Sequence, residues 1–206
     1  MTAKIIEITP VENYFSITWA ITNKCNYECM YCPSELHSGS TQYTFDQMQK
    51  YWLDIFDKTK SKNLKYKLSF TGGEVTINKD FVPFLKWLRS NYGEYIHMIL
   101  VTSNGSASIS YYKKLYEVVD NVSFSFHSEH ADEREFYEKM IELKQRIDSE
   151  KFIHVNIMNE HWIKERIPLY VKVLTDNNIS HNVNEINYSI GTRTIPILKG
   201  KLNLEI

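Results

Sequence analysis

Residues 25–32 read CNYECMYC and hold all three cysteines of the chain, Cys25, Cys29 and Cys32. Their number limits the chemistry open to them. Three thiols are one too many for a single disulfide and one too few for a closed four-ligand zinc site. A zinc site would need a fourth ligand, and His37 is the nearest histidine in sequence. A thiol nucleophile would use one cysteine and leave two unexplained. A 4Fe–4S cluster is normally held by four cysteines; three would leave one iron open to a cofactor or substrate. The cluster reading employs every thiol, and Asn26 and Tyr27 can turn the chain around it. Zinc stands as the alternative.

Four other short stretches hold residues of chemical interest: TGGE at 71–74, TSNG at 102–105, SFHSE at 125–129 and the HVNIM run at 154–158. Each ends, or lies within, a strand-like apolar pattern. Six such patterns cover 14–22, 65–72, 95–104, 121–128, 152–159 and 181–189. Helical stripes separate them. Met48, Tyr51, Trp52, Ile55 and Phe56 form the first, opened by Thr44 and Gln47 at capping-box spacing. Phe81, Phe84, Leu85 and Leu88 form the second; Tyr111, Leu115 and Val118 the third; Phe136, Met140, Ile141 and Ile147 the fourth. Ile163, Ile167, Tyr170 and Leu174 form the fifth, where Pro168 either kinks the helix or marks its start.

Strands alternating with helices imply βα units around a parallel sheet. A closed eight-unit barrel takes about 250 residues, and this chain has 206. The expected fold is therefore α/β: a partial (β/α)6 barrel, an open parallel sheet with helices on its convex face and the last strand at a free edge. One domain over 1–206 is expected. A flat, doubly wound sheet is the alternative from pattern alone. Either way the ligand belongs at the C-terminal ends of the strands, where the unusual residues gather.

Composition excludes other classes. A formal net charge of −1 gives no broad electrostatic case for nucleic acid or an anionic membrane. No apolar run is long enough to span a bilayer, and the charged, proline-containing start lacks a signal-peptide core. A soluble, cytoplasmic protein is expected. Clustered cysteines there favour metal or redox chemistry over cross-linking. A flavodoxin-like carrier would need a phosphate loop after the first strand, where the cysteines stand instead.

The C-x3-C-x2-C loop with Tyr31 before Cys32, preceded by TNK and followed by proline, resembles the radical S-adenosylmethionine enzymes. FTGGE at 70–74 supports the resemblance independently. It implies a 4Fe–4S cluster on Cys25, Cys29 and Cys32 whose open iron is chelated by S-adenosylmethionine. One electron then cleaves the cofactor to methionine and a 5′-deoxyadenosyl radical, which abstracts hydrogen from a substrate. It also implies cofactor contacts at Tyr31, Gly72, Gly73, Glu74, Asn104, Ser125, His127 and Asn156. The glycine pair would let backbone approach the methionine moiety. A one-electron reductant such as flavodoxin or ferredoxin is the implied partner. The substrate, whether small molecule, peptide or protein, is not readable, and no catalytic residue is assigned.

The absence of a fourth cysteine disfavours members with auxiliary clusters and those that need a separate catalytic thiol. Glycyl-radical activases, enzymes resembling 7-carboxy-7-deazaguanine synthase, and modifiers of peptide or sugar side chains stay open. So does a non-catalytic iron–sulfur or zinc module. His97, His154, His161 and His181 read as packing histidines, Glu129, Glu133, Glu135 and Glu138 as a solvated helix face. Tyr188 and Arg193 are candidate substrate contacts or closing residues.

Overall fold

The computed structural model describes residues 8–11 and 14–186. Six parallel strands carry the fold: β2 (Tyr14–Lys24), β4 (Lys65–Gly72), β5 (Ile96–Ser103), β6 (Asn121–Phe126), β7 (Phe152–Asn159) and β8 (Ser180–Glu185). Five helices lie between them: α1 (Phe45–Thr59), α2 (Phe81–Tyr92), α3 (Ile109–Tyr116), α4 (Glu133–Arg146) and α5 (Ile167–Asp176). Two short strands that the sequence pattern did not reveal, β1 (Ile8–Val11) and β3 (Ser38–Gln42), pair antiparallel with β2. Among the described residues the sheet order is β1-β2-β4-β5-β6-β7-β8, so β8 lies at an edge and the sheet is open, as expected.

Residue alternation explains the layers. Ile17, Trp19 and Ile21 of β2, Tyr66, Leu68 and Phe70 of β4, and Val122, Phe124 and Phe126 of β6 are all buried. They join Met48, Trp52, Phe84, Leu88, Leu115 and Met140 from the helices in one apolar core. Successive strand residues face opposite ways. The other sheet face therefore carries Thr18, Ser69, Thr102, Ser123, Ser125, His154 and Asn156, all more exposed than the core set.

Local signals set the helix starts. The Thr44 hydroxyl accepts the Gln47 N–H at 3.4 Å, and the Gln47 side chain accepts the Thr44 N–H at 2.9 Å. The Asp132 and Ser108 side chains cap α4 and α3 by accepting the Glu135 and Tyr111 N–H groups. Pro168 lies in the first turn of α5, where a missing N–H costs nothing; it marks the start and makes no kink. Ile163 precedes that helix, and Ile147 is the C-cap of α4. Among the described residues no helix is long and apolar enough to cross a membrane.

Candidate cofactor site at the strand ends

The cysteine loop leaves β2 at Lys24 and runs without regular structure to Pro33. Cys29 is 6 % exposed, and Cys25 and Cys32 are half-buried. Burial raises the pKa of all three thiols, that of Cys29 to about 12. The charge of Cys25 raises Cys29 and Cys32 further, so the three sulfurs share one electrostatic site. Such thiols become thiolates only beside a compensating cation. That donor set fits an iron–sulfur cluster, which brings the positive charge itself.

Before the cysteines, Asn23 fixes the loop's two ends. Its amide donates to the Glu35 carbonyl at 3.0 Å and to the Ser38 and Ser40 hydroxyls at 2.9 and 2.8 Å. Its Oδ1 accepts the Thr41 N–H at 2.6 Å. This explains β3: the chain emerging from the loop is folded back alongside β2.

The GGE segment contacts protein backbone. Gly73 N–H donates to the Thr22 carbonyl and Glu74 N–H to the Lys24 carbonyl, both at 2.8 Å. A Cβ at Gly72 would be driven into the Thr22 carbonyl oxygen, and one at Gly73 into that of Lys24. Gly72 also has φ +140°, in the range that disfavours side chains. The close approach that requires these glycines is thus to the last residues of β2, immediately before Cys25.

Glu74 is 1 % exposed. Its carboxylate accepts the Asn104 N–H at 2.6 Å, the Ser103 hydroxyl at 2.9 Å and the Thr76 N–H at 3.0 Å. Burial raises its pKa, while these bonds oppose the rise. Glu74 therefore ties the end of β4 to the end of β5. Asn104 shapes its own turn and reaches the cysteine loop. Its Oδ1 accepts the Ser106 N–H at 3.0 Å to shape the turn, and its amide donates to Asn26 Oδ1 at 2.9 Å and lies 4.0 Å from Cys25 Sγ. The adjoining Gly105 has φ +77°, and a Cβ there would meet the Phe136 ring.

Across the rim, Tyr31 stacks on His127 with centroids 5.9 Å apart. Its hydroxyl bonds both His127 Nδ1 and Glu160 Oε1, the latter at 3.1 Å. The hydroxyl has one hydrogen. If it donates to Glu160, His127 must carry its proton on Nδ1. Ser128 donates to the other Glu160 oxygen and accepts the Trp162 indole N–H at 2.7 Å. Burial lowers the His127 pKa to about 4 and raises that of Glu160 to about 7. Glu160 escaped the sequence reading because it lies just beyond β7 in no recognisable motif.

The loop after β6 brings two more residues. Glu129 Oε2 accepts the Met30 N–H at 2.9 Å, and His130 Nε2 accepts the Glu28 N–H at 3.3 Å. The ring of His130 stacks on Tyr27 at 5.0 Å. Ligand atoms of Cys29, Glu129 and His130 all lie within 4.8 Å of one another. Glu129 is thus part of the site and not of a solvated helix face, because α4 begins only at Glu133. Glu133 pairs with Arg166 at 2.7 Å; Glu135 and Glu138 have exposed side chains.

Asn156 lies on the same sheet face but is already bonded. Its amide donates to the Ser123 hydroxyl at 2.7 Å, and its Oδ1 accepts from Asn182 and Asn184 at 3.2 and 3.0 Å. Ser125, its neighbour in the β6–β7 register, is half-buried. His154 bonds the Ser180 hydroxyl at 2.9 Å. Tyr188 and Arg193 lie outside the described residues.

An open parallel α/β sheet with three cysteines in the loop after its first long strand defines a class of cluster-binding partial barrels. A family profile described as the Radical SAM superfamily matches residues 19–155, and the chain belongs to that family. Its members bind a 4Fe–4S cluster and S-adenosylmethionine. The chain is 31 % identical over 93 residues to a GTP 3',8-cyclase of Pasteurella multocida, covering 45 % of this chain and 26 % of that protein. It is 28 % identical over 96 residues to an S-adenosylmethionine-dependent nucleotide dehydratase of Selenomonas ruminantium, covering 47 % and 32 %. The matched stretch thus spans about a quarter to a third of those relatives' length. Among solved structures, BtrN in complex with AdoMet and 2-DOIA shares the fold at TM-score 0.50 and 16 % identity, over 72 % of this chain and 57 % of that one.

Proposed function

We propose that this chain, acting as one radical S-adenosylmethionine core domain, uses a cluster held by Cys25, Cys29 and Cys32 to cleave S-adenosylmethionine reductively. The observation that carries the reading is the meeting of the three-cysteine loop with the ends of β4, β5 and β6 on one rim. When bound, the two cofactors supply a one-electron cleavage to methionine and a 5′-deoxyadenosyl radical that takes hydrogen from a substrate.

The chain's own residues bind, orient and shield. Gly72, Gly73 and Glu74 fix the start of the cysteine loop and the end of β5 from beneath. Asn104 reaches the loop at Asn26 beside Cys25. Tyr31 and His127 wall the opposite side, with Glu160 holding the tyrosine hydroxyl. Ser125 and Asn156 offer polar contacts on the face below.

A small polar molecule is the substrate class that suits a sheet face lined by Ser123, Ser125, Asn156, Asn182 and Asn184. Two relatives bear names of enzymes acting on nucleotides, so nucleotides head the substrates to test. Electrons would come from a flavodoxin- or ferredoxin-type donor, and the free thiols suit the cytoplasm. The metal content of anaerobically reconstituted protein tests this reading. It expects roughly four irons and four sulfides per chain; one zinc and no sulfide would overturn it.

A further inference from the structure

The loop that carries the three thiols has little structure of its own. Its backbone bond is a single turn, Cys32 N–H to the Cys29 carbonyl at 3.0 Å, with Tyr27 N–H also reaching Cys25 Sγ at 3.4 Å. Yet each residue between the cysteines has a partner from outside the loop. Asn26 is held by Asn104, and Tyr27 by the His130 ring. Glu28 is held through its N–H by His130, Met30 through its N–H by Glu129, and Tyr31 by His127 and Glu160. Most of these partners come from the four residues after β6, about a hundred positions away in sequence.

We propose that Glu129 and His130 are positioning residues that hold the cysteine loop in its cluster-binding shape before and after the cluster arrives. The proposal rests on the cluster reading above for its purpose, and on the bonds alone for its geometry. Each accepts a backbone N–H of the loop, from Glu28 and Met30. Removing them takes two tethers from the segment 28–30, which holds Cys29 at 6 % exposure. A loop that must be ordered at the moment of binding spends part of the binding free energy on that ordering. A loop already ordered does not. Glu129 also places a carboxylate within 4.8 Å of Cys29 Sγ. Negative charge there opposes addition of an electron at the site.

The test separates acceptor from charge. Glu129→Gln keeps an oxygen for the Met30 N–H and loses the charge; Glu129→Ala loses both; His130→Ala removes the second acceptor and the Tyr27 stack. In reconstituted protein, E129A and H130A are expected to lose iron to a chelator about tenfold faster than the parent, the effect of one such bond. E129Q is expected to stay within about threefold of the parent, with a cluster potential shifted positive. Equal iron loss in all four proteins overturns the proposal, as does E129Q matching E129A in lability. A second readout uses cluster-free protein: the rate at which iodoacetamide labels Cys29, followed by peptide mass. E129A should label several-fold faster than E129Q, which shares its loss of charge and keeps the acceptor. Were the parent to take no cluster, the enzyme reading would fall and this labelling would still decide the clamp; equal labelling in E129A and E129Q would overturn it.

Discussion

The two halves of the rim are built differently. At the ends of β2, β4 and β5 the chain is stitched by backbone: Gly73 and Glu74 donate to Thr22 and Lys24, and the Glu74 carboxylate grips the Asn104 N–H. At the ends of β6, β7 and β8 side chains do the joining, through Tyr31, His127, Ser128, Glu160, Trp162 and the Asn156 cluster. At Gly72 and Gly73 the approach to β2 leaves no room for a Cβ, so it demands glycine. Side-chain bonding leaves room but introduces titratable groups. The glycine stitches should therefore be sensitive to size, and the side-chain joins, Glu74 among them, to pH and polarity.

Between the halves sits the cysteine loop, and removing a ligand there should have the largest effect. Cys25→Ala, Cys29→Ala or Cys32→Ala is expected to abolish stable cluster binding, read as iron and sulfide per chain after desalting. Full iron content in C29A would contradict the assignment.

The stitched half is next. Gly72→Ala forces a side chain into the Thr22 carbonyl at a φ of +140°, and Gly73→Val does the same against Lys24. Either should cost about 2–4 kcal/mol in denaturant unfolding, from overpacking and backbone strain together. Both should also weaken cluster retention, because the clash falls on the residues leading into Cys25. A variant with parent stability and parent iron content, losing only cofactor affinity, would show that these glycines serve the ligand after all.

On the side-chain half, pH supplies the break. In cluster-free protein the His127 pKa is lowered to about 4, so its contribution to stability is present above about 6.5 and lost as pH falls toward 4. The Glu160 pKa is raised to about 7, so its contribution is present below its ordinary 4.5 and lost as pH rises toward 7. Each is worth up to about 3 kcal/mol, and between pH 4.5 and 6.5 they oppose each other. His127→Gln should therefore lose stability as pH rises through 4.5–7, and Glu160→Gln as it falls through 6.5–4. Identical pH slopes in parent and both variants would contradict the placement of these groups.

Asn156→Ala should have the smallest effect on folding, about 1 kcal/mol, since Ser123, Asn182 and Asn184 can turn to water on a half-exposed face. A loss above about 3 kcal/mol would mean that this face is a structural core and not a polar floor.

The same contrast explains what could be read in the sequence. All six parallel strands and five helices were visible, because apolar alternation and capping residues such as Thr44 and Gln47 are local signals. Strands β1 and β3 were not: both are short, β1 pairs with the adjoining start of β2, and β3 is held by the Asn23 side chain. Cys25, Cys29, Cys32, Gly72, Gly73 and Glu74 stood out through spacing and residue type; the fit of the glycines against Thr22 and Lys24 did not, because it joins segments far apart in sequence. Glu160, Glu129 and His130 did not stand out. Their partners lie 99 to 129 positions away, and no local pattern distinguishes a carboxylate that meets Tyr31 from one that meets water.

The central claim is that the cysteine loop at this rim holds a cluster that works on S-adenosylmethionine. The most direct measurement is release of 5′-deoxyadenosine under dithionite, without oxygen, by the reconstituted parent and by C29A. The account predicts slow release by the parent with S-adenosylmethionine alone, faster release when the right substrate is added, and none by C29A. Release by C29A equal to the parent's, or no release by an iron-replete parent, would contradict it.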